Sequence, residues 1–218
     1  MRPSFWLERW ENGQTGFNLE KPNPFLQKFY TQLSIQPGDP VFVPLCGKSI
    51  DMKWLADQGH PVMGVELSAI AAEEFFEAND LTPTVSAKGK FTSWQGGDIE
   101  ILVGNFFDLT PDDLRDVKAV YDRAALIALP QPMRQDYAKH MSEIISPMIK
   151  VLLITIFYHQ NEMSGPPHSV PTEEVRQLFD SNFLNTELDK RDVLDKVPRF
   201  REGGLTMLEQ HIYLLDRL

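Results

Sequence analysis

The chain has 218 residues, 42% of them hydrophobic, which is enough apolar sequence for a sizeable core and unlike a disordered chain. A formal net charge of −10, without any run of Lys and Arg, argues against nucleic acid as the main partner. One cysteine, Cys46, excludes an intrachain disulfide, and the lack of a secretory signal or of an apolar span of about 18 residues predicts a cytoplasmic protein without membrane contact.

The chain opens on a pattern that predicts two short helices ahead of the main body. Two tryptophans four positions apart, the second of them Trp10, predict a helix over residues 5–11, because that spacing puts both on one face. Glycines and prolines then predict a loop. Apolar residues at the same four-residue spacing predict a second helix over residues 24–33.

Strands and helices alternate along the rest of the chain. The pattern predicts strands at 41–45, 62–66, 91–94, 99–103, 117–122, 150–157, 184–190 and 207–215, and helices at 49–58, 68–79, 132–145 and 172–180. Ser68 is the expected N-cap of the second of these helices. A Gly-Gly turn joins the third and fourth strands into a hairpin. The alternation predicts an α/β fold with a mostly parallel sheet, helices on both faces and an antiparallel hairpin at the C-terminal edge.

The ends of the first two strands carry the frame of a nucleotide-type cofactor site. The first strand ends in a tight turn at Gly47, which lets the backbone come close to a ligand. The second ends in Glu66, whose carboxylate accepts hydrogen bonds from a ribose diol. The two residues are 19 positions apart, near the spacing of about 20 in dinucleotide-binding folds.

The first loop also limits which ligand fits. Gly47-Lys48-Ser49 looks like the end of a phosphate-binding P-loop, but position 42 is Phe where that motif needs Gly. The three spaced glycines of a dinucleotide site are missing too, which disfavours a nicotinamide cofactor. A ligand with a ribose and no phosphate, such as S-adenosylmethionine, needs only Gly47 and Glu66.

Two later strand ends support that choice. Asn105 and Phe106 follow one strand and offer a polar group and a ring for an adenine. Asp122 and Arg123 end the next strand. Open α/β sheets bind their ligands at these carboxyl ends. On the residues alone, a structural pair of Arg123 with Asp122 or with a carboxylate at a helix terminus is the better interpretation.

The order of these motifs resembles the bacterial branch of the thiopurine S-methyltransferase family. The shared segments are Trp10, Val-Pro-Leu-Cys-Gly-Lys-Ser at 43–49, Gly-Val-Glu-Leu-Ser at 64–68, Asp-Arg-Ala-Ala-Leu at 122–126 and Pro-Pro-His-Ser-Val-Pro at 166–171. The resemblance implies a single Rossmann-like class I methyltransferase domain over residues 1–218, with residues 1–36 as a helical segment covering the active site. It also implies methyl transfer from S-adenosyl-L-methionine to a thiopurine sulfur, with selenium and tellurium compounds as further acceptors in bacterial members.

The family's site residues carry over by motif position. The implied cofactor contacts are Trp10, Leu45, Gly47, Glu66, Asn105, Phe106 and Arg123, and the implied acceptor contacts are Phe17, Arg123 and Arg199. Arg201 competes with Arg199 for the family's second arginine. One departure is Asn18, where the family usually has His, so a side chain that titrates near neutral pH is absent there.

Several questions stay open on the sequence. Another small thiol, a halide or a metalloid as acceptor, and a non-catalytic protein that binds S-adenosylmethionine, are the competing functions. Activated methyl transfer to a soft sulfur needs no strong base, so we expect positioning rather than one essential base. The five histidines lack metal-ligand spacing, so no metal is predicted. We expect a monomer with a small-molecule thiol acceptor, acting in detoxification and metalloid resistance.

Overall fold

The computed structural model describes residues 3–16 and 18–218. Within these ranges the strands of the sheet are β1 Val41–Val43, β2 Val62–Glu66, β3 Thr84–Lys88, β4 Phe91–Gly96, β5 Ile99–Val103, β6 Ala119–Arg123, β7 Lys150–Phe157, β8 Phe183–Asp192 and β9 Glu209–Arg217. The α-helices are α1 Pro3–Glu11, α2 Pro24–Phe29, α3 Ile50–Asp57, α4 Ala69–Ala78, α5 Gln131–Ile144, α6 Thr172–Phe179 and α7 Pro198–Glu202. Short 3₁₀ turns lie at Tyr30–Leu33, Phe106–Asp108, Leu126–Ala128 and Leu194–Lys196.

The strands form one mixed sheet in the order β3-β4-β5-β2-β1-β6-β7-β9-β8. The five central strands, from β5 to β7, run parallel, whereas both edges are antiparallel. The predicted C-terminal edge hairpin is confirmed, because β9 pairs with both β7 and β8. The chain leaves β1 toward β2 on one side and later returns to β6 on the other. The strand order therefore reverses at β1, which is where open α/β sheets have their ligand crevice.

Most predicted elements lie within a few residues of the observed ones, and the differences have local causes. The bounds of β2 and β7 are those predicted. The strand expected at 41–45 is shorter, because Leu45 takes a left-handed conformation with φ of 45° and leaves the sheet. The helix expected at 24–33 changes to a 3₁₀ turn at Tyr30. β3 was not predicted, because all five of its residues are exposed and it has no buried apolar face.

Helices cover both faces of the sheet, and each face has its own apolar core. Neighbouring residues of β7 belong to different cores: Leu153 packs on the side of α5 and α6, and Leu152 on the side of α2, α3 and α4. A strand covered on both faces is a nearly continuous apolar run, and six of the eight residues of β7 are apolar. A third, smaller cluster joins the end of β7, through Ile156 and Tyr158, to the segment before β9.

The N-terminal helices are tied to the α3 side of the sheet. The Asn23 side chain caps α2 by accepting a hydrogen bond of 2.8 Å from the Phe25 N–H. The Asn23 N–H donates in turn to the Asp51 carboxylate in the first turn of α3, at 2.7 Å. Further along, the Lys28 ammonium pairs with Asp189 on β8 at 2.6 Å. No helix among the residues described combines the length and the apolar character needed to cross a membrane.

Candidate active site

The loops that follow β1, β2, β5, β6 and β7 all leave the same edge of the sheet, since these strands are parallel. Main-chain hydrogen bonds hold the first loops together. The Cys46 N–H donates to the Val65 carbonyl at 3.0 Å, and the Gly104 N–H donates to the Glu66 carbonyl at 2.9 Å. The sheet itself therefore sets the spacing between the residues of the crevice.

Glu66 lies at the centre of this edge, with a side chain that bonds main-chain groups on both sides. One carboxylate oxygen, Oε2, accepts from the Gly47 N–H at 2.9 Å, and Oε1 accepts from the Ser68 N–H at 2.9 Å. The residue is 8% exposed. Burial raises the pKa of Glu66 above its ordinary value, and the N–H groups of Ser68 and Gly47 oppose that rise. Gly47 and Glu66, which the sequence assigned to one cofactor site, are thus joined by a direct hydrogen bond.

Ser68 occupies the N-cap position of α4, as predicted. The Ser68 side chain makes no capping hydrogen bond. Its main-chain N–H, at the open end of the helix, instead donates to the Glu66 carboxylate. An acidic group at a helix N-terminus is favoured by the helix dipole, which adds to the hydrogen bond.

The loop after β1 has a tight backbone that Trp10 covers. Both Leu45 and Gly47 have positive φ angles, 45° and 52°, a region that side chains with a Cβ rarely adopt. A Cβ on Gly47 would lie 3.3 Å from Cζ2 of Trp10 and 3.6 Å from Oδ1 of Asn18. Trp10 is buried, and the Lys48 ammonium lies 6.0 Å from the centre of its ring. The structure therefore brings Trp10, Leu45, Gly47 and Glu66 together.

Asn105 and Phe106 separate at the end of β5. Asn105 is exposed, and its side chain caps the following 3₁₀ turn by accepting from the Phe107 N–H at 3.2 Å. Phe106 is 5% exposed and stacks on Tyr137 of α5, with ring centres 4.8 Å apart and an interplanar angle of 28°. The Phe106 ring therefore belongs to the core, and Asn105 is the member of this pair that faces solvent.

Asp122 and Arg123 point to opposite faces of the sheet, as consecutive strand residues do. Asp122 is buried on the α5 side, where it accepts from the Tyr137 hydroxyl at 2.7 Å. Burial raises the pKa of Asp122 to about 6. Arg123 lies on the α3 side, where its Nη1 is 4.0 Å from Oδ2 of Asp51. The expected pair of Arg123 with Asp122 was wrong, because the strand pleat separates the two side chains. The alternative, a pair with a carboxylate at a helix terminus, is confirmed, since Asp51 lies in the first turn of α3.

Asp51 is the site residue that the sequence analysis missed. It lies four positions after Gly47, in the first turn of α3, and is fully buried. An acid in the first turn of a helix is a common stabilising residue. The only sequence signal was therefore indistinguishable from an ordinary helix start.

The two arginines near the C-terminus have different surroundings. The Arg199 guanidinium, on α7, donates to the Gly16 carbonyl in the N-terminal loop and lies 4.8 Å from the centre of the Phe200 ring. Arg201 forms an ion pair with Asp195, and both of these side chains are mostly exposed. Phe17 lies outside the described residues, so its contact with an acceptor stays a prediction.

The segment after β7 is fastened to the turn that follows Arg123. The His168 N–H donates to the Ile127 carbonyl at 2.7 Å, and the Tyr158 hydroxyl donates to the Pro167 carbonyl at 2.7 Å. Burial lowers the pKa of His168, which keeps its ring neutral at pH 7. Across residues 3–16 and 18–218, no group of three or more His, Cys, Asp or Glu side chains is arranged to hold a metal ion.

This arrangement combines a buried carboxylate with free acceptor capacity and two arginines at the same edge of the sheet. Each Glu66 oxygen accepts one N–H, whereas a carboxylate oxygen can accept two hydrogen bonds, so the group can still take a diol. Arg123 and Arg199 add positive charge on the far side of the crevice. A ligand with a ribose beside a second, electron-rich reactant fits these groups.

Comparison with known proteins agrees with this geometry. The family model for thiopurine S-methyltransferase matches residues 1–218. Proteins named thiopurine S-methyltransferase from Bordetella petrii and from Pseudomonas aeruginosa are 46% and 44% identical over 217 residues each. The alignments cover 100% of this chain with 99% of the first relative and 100% of the second.

Solved structures share the fold at low sequence identity. An S-adenosylmethionine-dependent methyltransferase from Anabaena variabilis has a TM-score of 0.68 at 12% identity, over 99% of this chain and 95% of its own. Geranyl diphosphate C-methyltransferase from Streptomyces coelicolor, in complex with S-adenosyl-L-homocysteine, has a TM-score of 0.58 at 14% identity, over 89% of this chain and 78% of its own.

Proposed function

Since the chain belongs to the thiopurine S-methyltransferase family, we propose that it transfers a methyl group from S-adenosyl-L-methionine to the sulfur of a thiopurine-like heterocyclic thiol. Family membership over the whole chain makes it a methyltransferase, with S-adenosyl-L-methionine as its cofactor. The observation that carries the proposal for this chain is the buried Glu66 carboxylate, hydrogen-bonded to the Gly47 loop at the point where the strand order reverses.

The cofactor would occupy the side of the crevice formed by β1 and β2. Glu66 would accept the ribose hydroxyls with the lone pairs that its two N–H donors leave free. The left-handed backbone at Leu45 and Gly47 keeps side chains away from that side of the loop. Trp10 would cover the cofactor from α1, and Asn105 would hydrogen-bond the adenine.

The acceptor would occupy the side formed by β6, α7 and the N-terminal loop. Arg123 and Arg199 approach this side from segments 76 positions apart, and the Arg199 hydrogen bond to Gly16 joins α7 to the loop that carries Phe17 and Asn18. Residues 1–36 would then act as a cover over both ligands. An aromatic thiol with a partly anionic sulfur matches the positive charge of the two arginines.

Catalysis would depend on position and charge rather than on a base. When bound, the cofactor supplies a methyl group that is already activated on a positively charged sulfur. The chain would hold the acceptor sulfur in attacking distance, an effect that supplies about 7–11 kcal/mol in well-oriented reactions. Arg123 would favour the thiolate form of the acceptor, whose proton goes to solvent. Asp122 and Cys46 would therefore not act as the base. Asp122 accepts a hydrogen bond from Tyr137 on the other face of the sheet, and burial raises the pKa of the Cys46 thiol.

The test is single-turnover transfer of a labelled methyl group to 6-mercaptopurine, with calorimetric binding of S-adenosylhomocysteine on the same sample. We expect both binding and transfer. A panel with a small aliphatic thiol, a halide and selenium and tellurium compounds defines the acceptor class. Cofactor binding with no transfer to any member of the panel would overturn the proposed reaction. Transfer only to a halide or a metalloid would overturn the thiopurine assignment and keep the cofactor.

A further inference from the structure

A fully buried carboxylate, Asp51, connects the two sides of the candidate site. Its Oδ1 accepts from the Asn23 N–H at 2.7 Å, in the N-terminal segment. Its Oδ2 accepts from the Tyr121 hydroxyl at 2.9 Å, on β6. The same oxygen lies 4.0 Å from Nη1 of Arg123. One carboxylate on α3, just after the cofactor loop, thus contacts the segment that covers the site and the strand that carries Arg123.

The two hydrogen bonds go to different oxygens of Asp51, so together they need two acceptors. An Asn side chain in the same place would accept only one of them, but it would avoid the desolvation of a buried charge. A buried negative charge needs an opposite charge close by, and Arg123 supplies one. The Tyr121 hydroxyl stays protonated as a donor, because burial and then the Asp51 charge raise the pKa of Tyr121 well above its ordinary value.

Arg123 in turn has a restricted position. Its side chain is only 14% exposed. The Asp51 carboxylate lies 4.0 Å from Nη1, at one end of the planar guanidinium. A charge fixed on one side of a guanidinium sets the direction of the others, since the group is rigid and planar.

We infer that Asp51 is a positioning residue for methyl transfer: its negative charge orients Arg123 toward the acceptor, while its hydrogen bond to Asn23 places the N-terminal segment over the same site. The inference rests on the proposed acceptor role of Arg123. It assigns to α3 a function on the acceptor side, although α3 begins directly at the cofactor loop.

The test is a double-mutant cycle between Asp51 and Arg123, read as kcat and KM for 6-mercaptopurine and as the Kd for S-adenosylhomocysteine. Asp51→Asn keeps the shape, removes the charge and replaces one of the two acceptor oxygens with an NH2 group. We expect this variant to lower kcat/KM for the acceptor about tenfold, with the cofactor Kd changed less than about threefold. In the Arg123→Gln background, where the partner is gone, the same change should cost less than about twofold.

Tyr121→Phe is the matched control, because it removes a hydrogen bond to the same carboxylate oxygen and leaves the charge. We expect it to lower the Tm and to leave kcat/KM for the acceptor within about twofold. If Tyr121→Phe lowers kcat/KM as much as Asp51→Asn does, the role of Asp51 is to hold the fold. If the losses in kcat/KM from Asp51→Asn and Arg123→Gln multiply in the double variant, the two residues act independently and the inference is overturned.

The two proposals fail in different ways. If Arg123→Gln lowers kcat/KM and Asp51→Asn does not, the positioning role of Asp51 is wrong and the acceptor role of Arg123 stands. If Arg123→Gln leaves kcat/KM unchanged, the acceptor role of Arg123 is wrong and the inference falls with it. Methyl transfer by the unaltered chain is measured in the same series, so the reaction is tested separately from both residues.

Discussion

The cofactor side and the acceptor side of this crevice are built in different ways. On the cofactor side, Gly47 and Glu66 come from two neighbouring parallel strands and meet through main-chain N–H groups at 2.9 Å. On the acceptor side, Arg199 reaches the Gly16 carbonyl from 183 positions away, and Arg123 faces an aspartate on another helix. The first side uses backbone geometry, and the second uses long side chains from distant segments.

This difference indicates which parts of the site depend on the fold and which depend on individual side chains. Backbone loops at strand ends are set by the sheet, so they persist wherever the sheet does. The Anabaena variabilis methyltransferase shares the fold with a TM-score of 0.68 at only 12% identity. Long side chains on loops and short helices change with single substitutions. We therefore expect substitutions on the first side to affect cofactor binding, and those on the second to affect the acceptor.

The largest expected effect is on the cofactor side, for Glu66→Gln. The amide cannot accept from both the Gly47 and Ser68 N–H groups, and it loses the charge that binds a diol. Hydrogen bonds to charged groups are worth about 1.5–3 kcal/mol each, so the Kd for S-adenosylhomocysteine should rise about 100-fold or more by calorimetry. Glu73→Gln, an exposed acid on the neighbouring α4, is the control and should have no effect. A change of less than about threefold in Glu66→Gln would contradict the assignment of this side.

Each side contains a buried carboxylate with a raised pKa, and Asp122→Asn tests the one at the end of β6. The Asp122 pKa of about 6 in the folded protein lies above its ordinary value of 3.8. Its contribution to stability is therefore full below pH 3.8 and is lost as the pH rises through 6. That rise in pKa corresponds to about 3 kcal/mol. Asn keeps an oxygen for the Tyr137 hydroxyl and cannot ionise.

We therefore expect the free energy of unfolding, measured in urea at pH 7.5, to be higher for Asp122→Asn than for the unaltered chain. The difference in this free energy between the two proteins should change by up to about 3 kcal/mol relative to pH 4. A constant difference across this range would mean that Asp122 ionises in the folded protein as it does when unfolded.

A smaller effect is expected for Gly47→Ala, which tests the backbone of the cofactor side. The substitution forces a Cβ into a left-handed residue and against Trp10. Left-handed strain costs about 1–2 kcal/mol, and displacement of Trp10 should raise the cofactor Kd about tenfold. Gly13→Ala is matched in φ, 64°, and has open space around its Cβ. The control should lower the Tm without changing cofactor binding, and equal binding losses in both variants would contradict a specific role of Gly47.

The smallest expected effect is on the acceptor side, for Arg199→Ala. The substitution removes the hydrogen bond to Gly16 and should raise the acceptor KM about fivefold, with the cofactor Kd unchanged. Arg201→Ala removes only an exposed ion pair with Asp195, worth about 0–1 kcal/mol, and should leave both constants unchanged. If Arg201→Ala raises the acceptor KM more than Arg199→Ala does, the assignment of Arg199 to acceptor binding is wrong.

The sequence by itself determined the parts of this protein that depend on short stretches. The bounds of β2 and β7 follow from apolar runs, and the pairing of Gly47 with Glu66 follows from a strand, a turn and a second strand within 19 positions. Each of these features is defined by neighbours along the chain. Local patterns were therefore enough to place Gly47 and Glu66 at neighbouring strand ends before any contact was known.

Only the tertiary structure decided the contacts that join distant segments. The partner of Arg123 is Asp51 and not the adjacent Asp122, because the strand pleat turns consecutive side chains to opposite faces. The Phe106 ring belongs to the core, because α5 presents Tyr137 to it. Arg199 and Arg201 look alike in sequence, yet one binds the Gly16 carbonyl and the other an exposed acid. These choices depend on which elements pack together, a property that spacing along one chain does not contain.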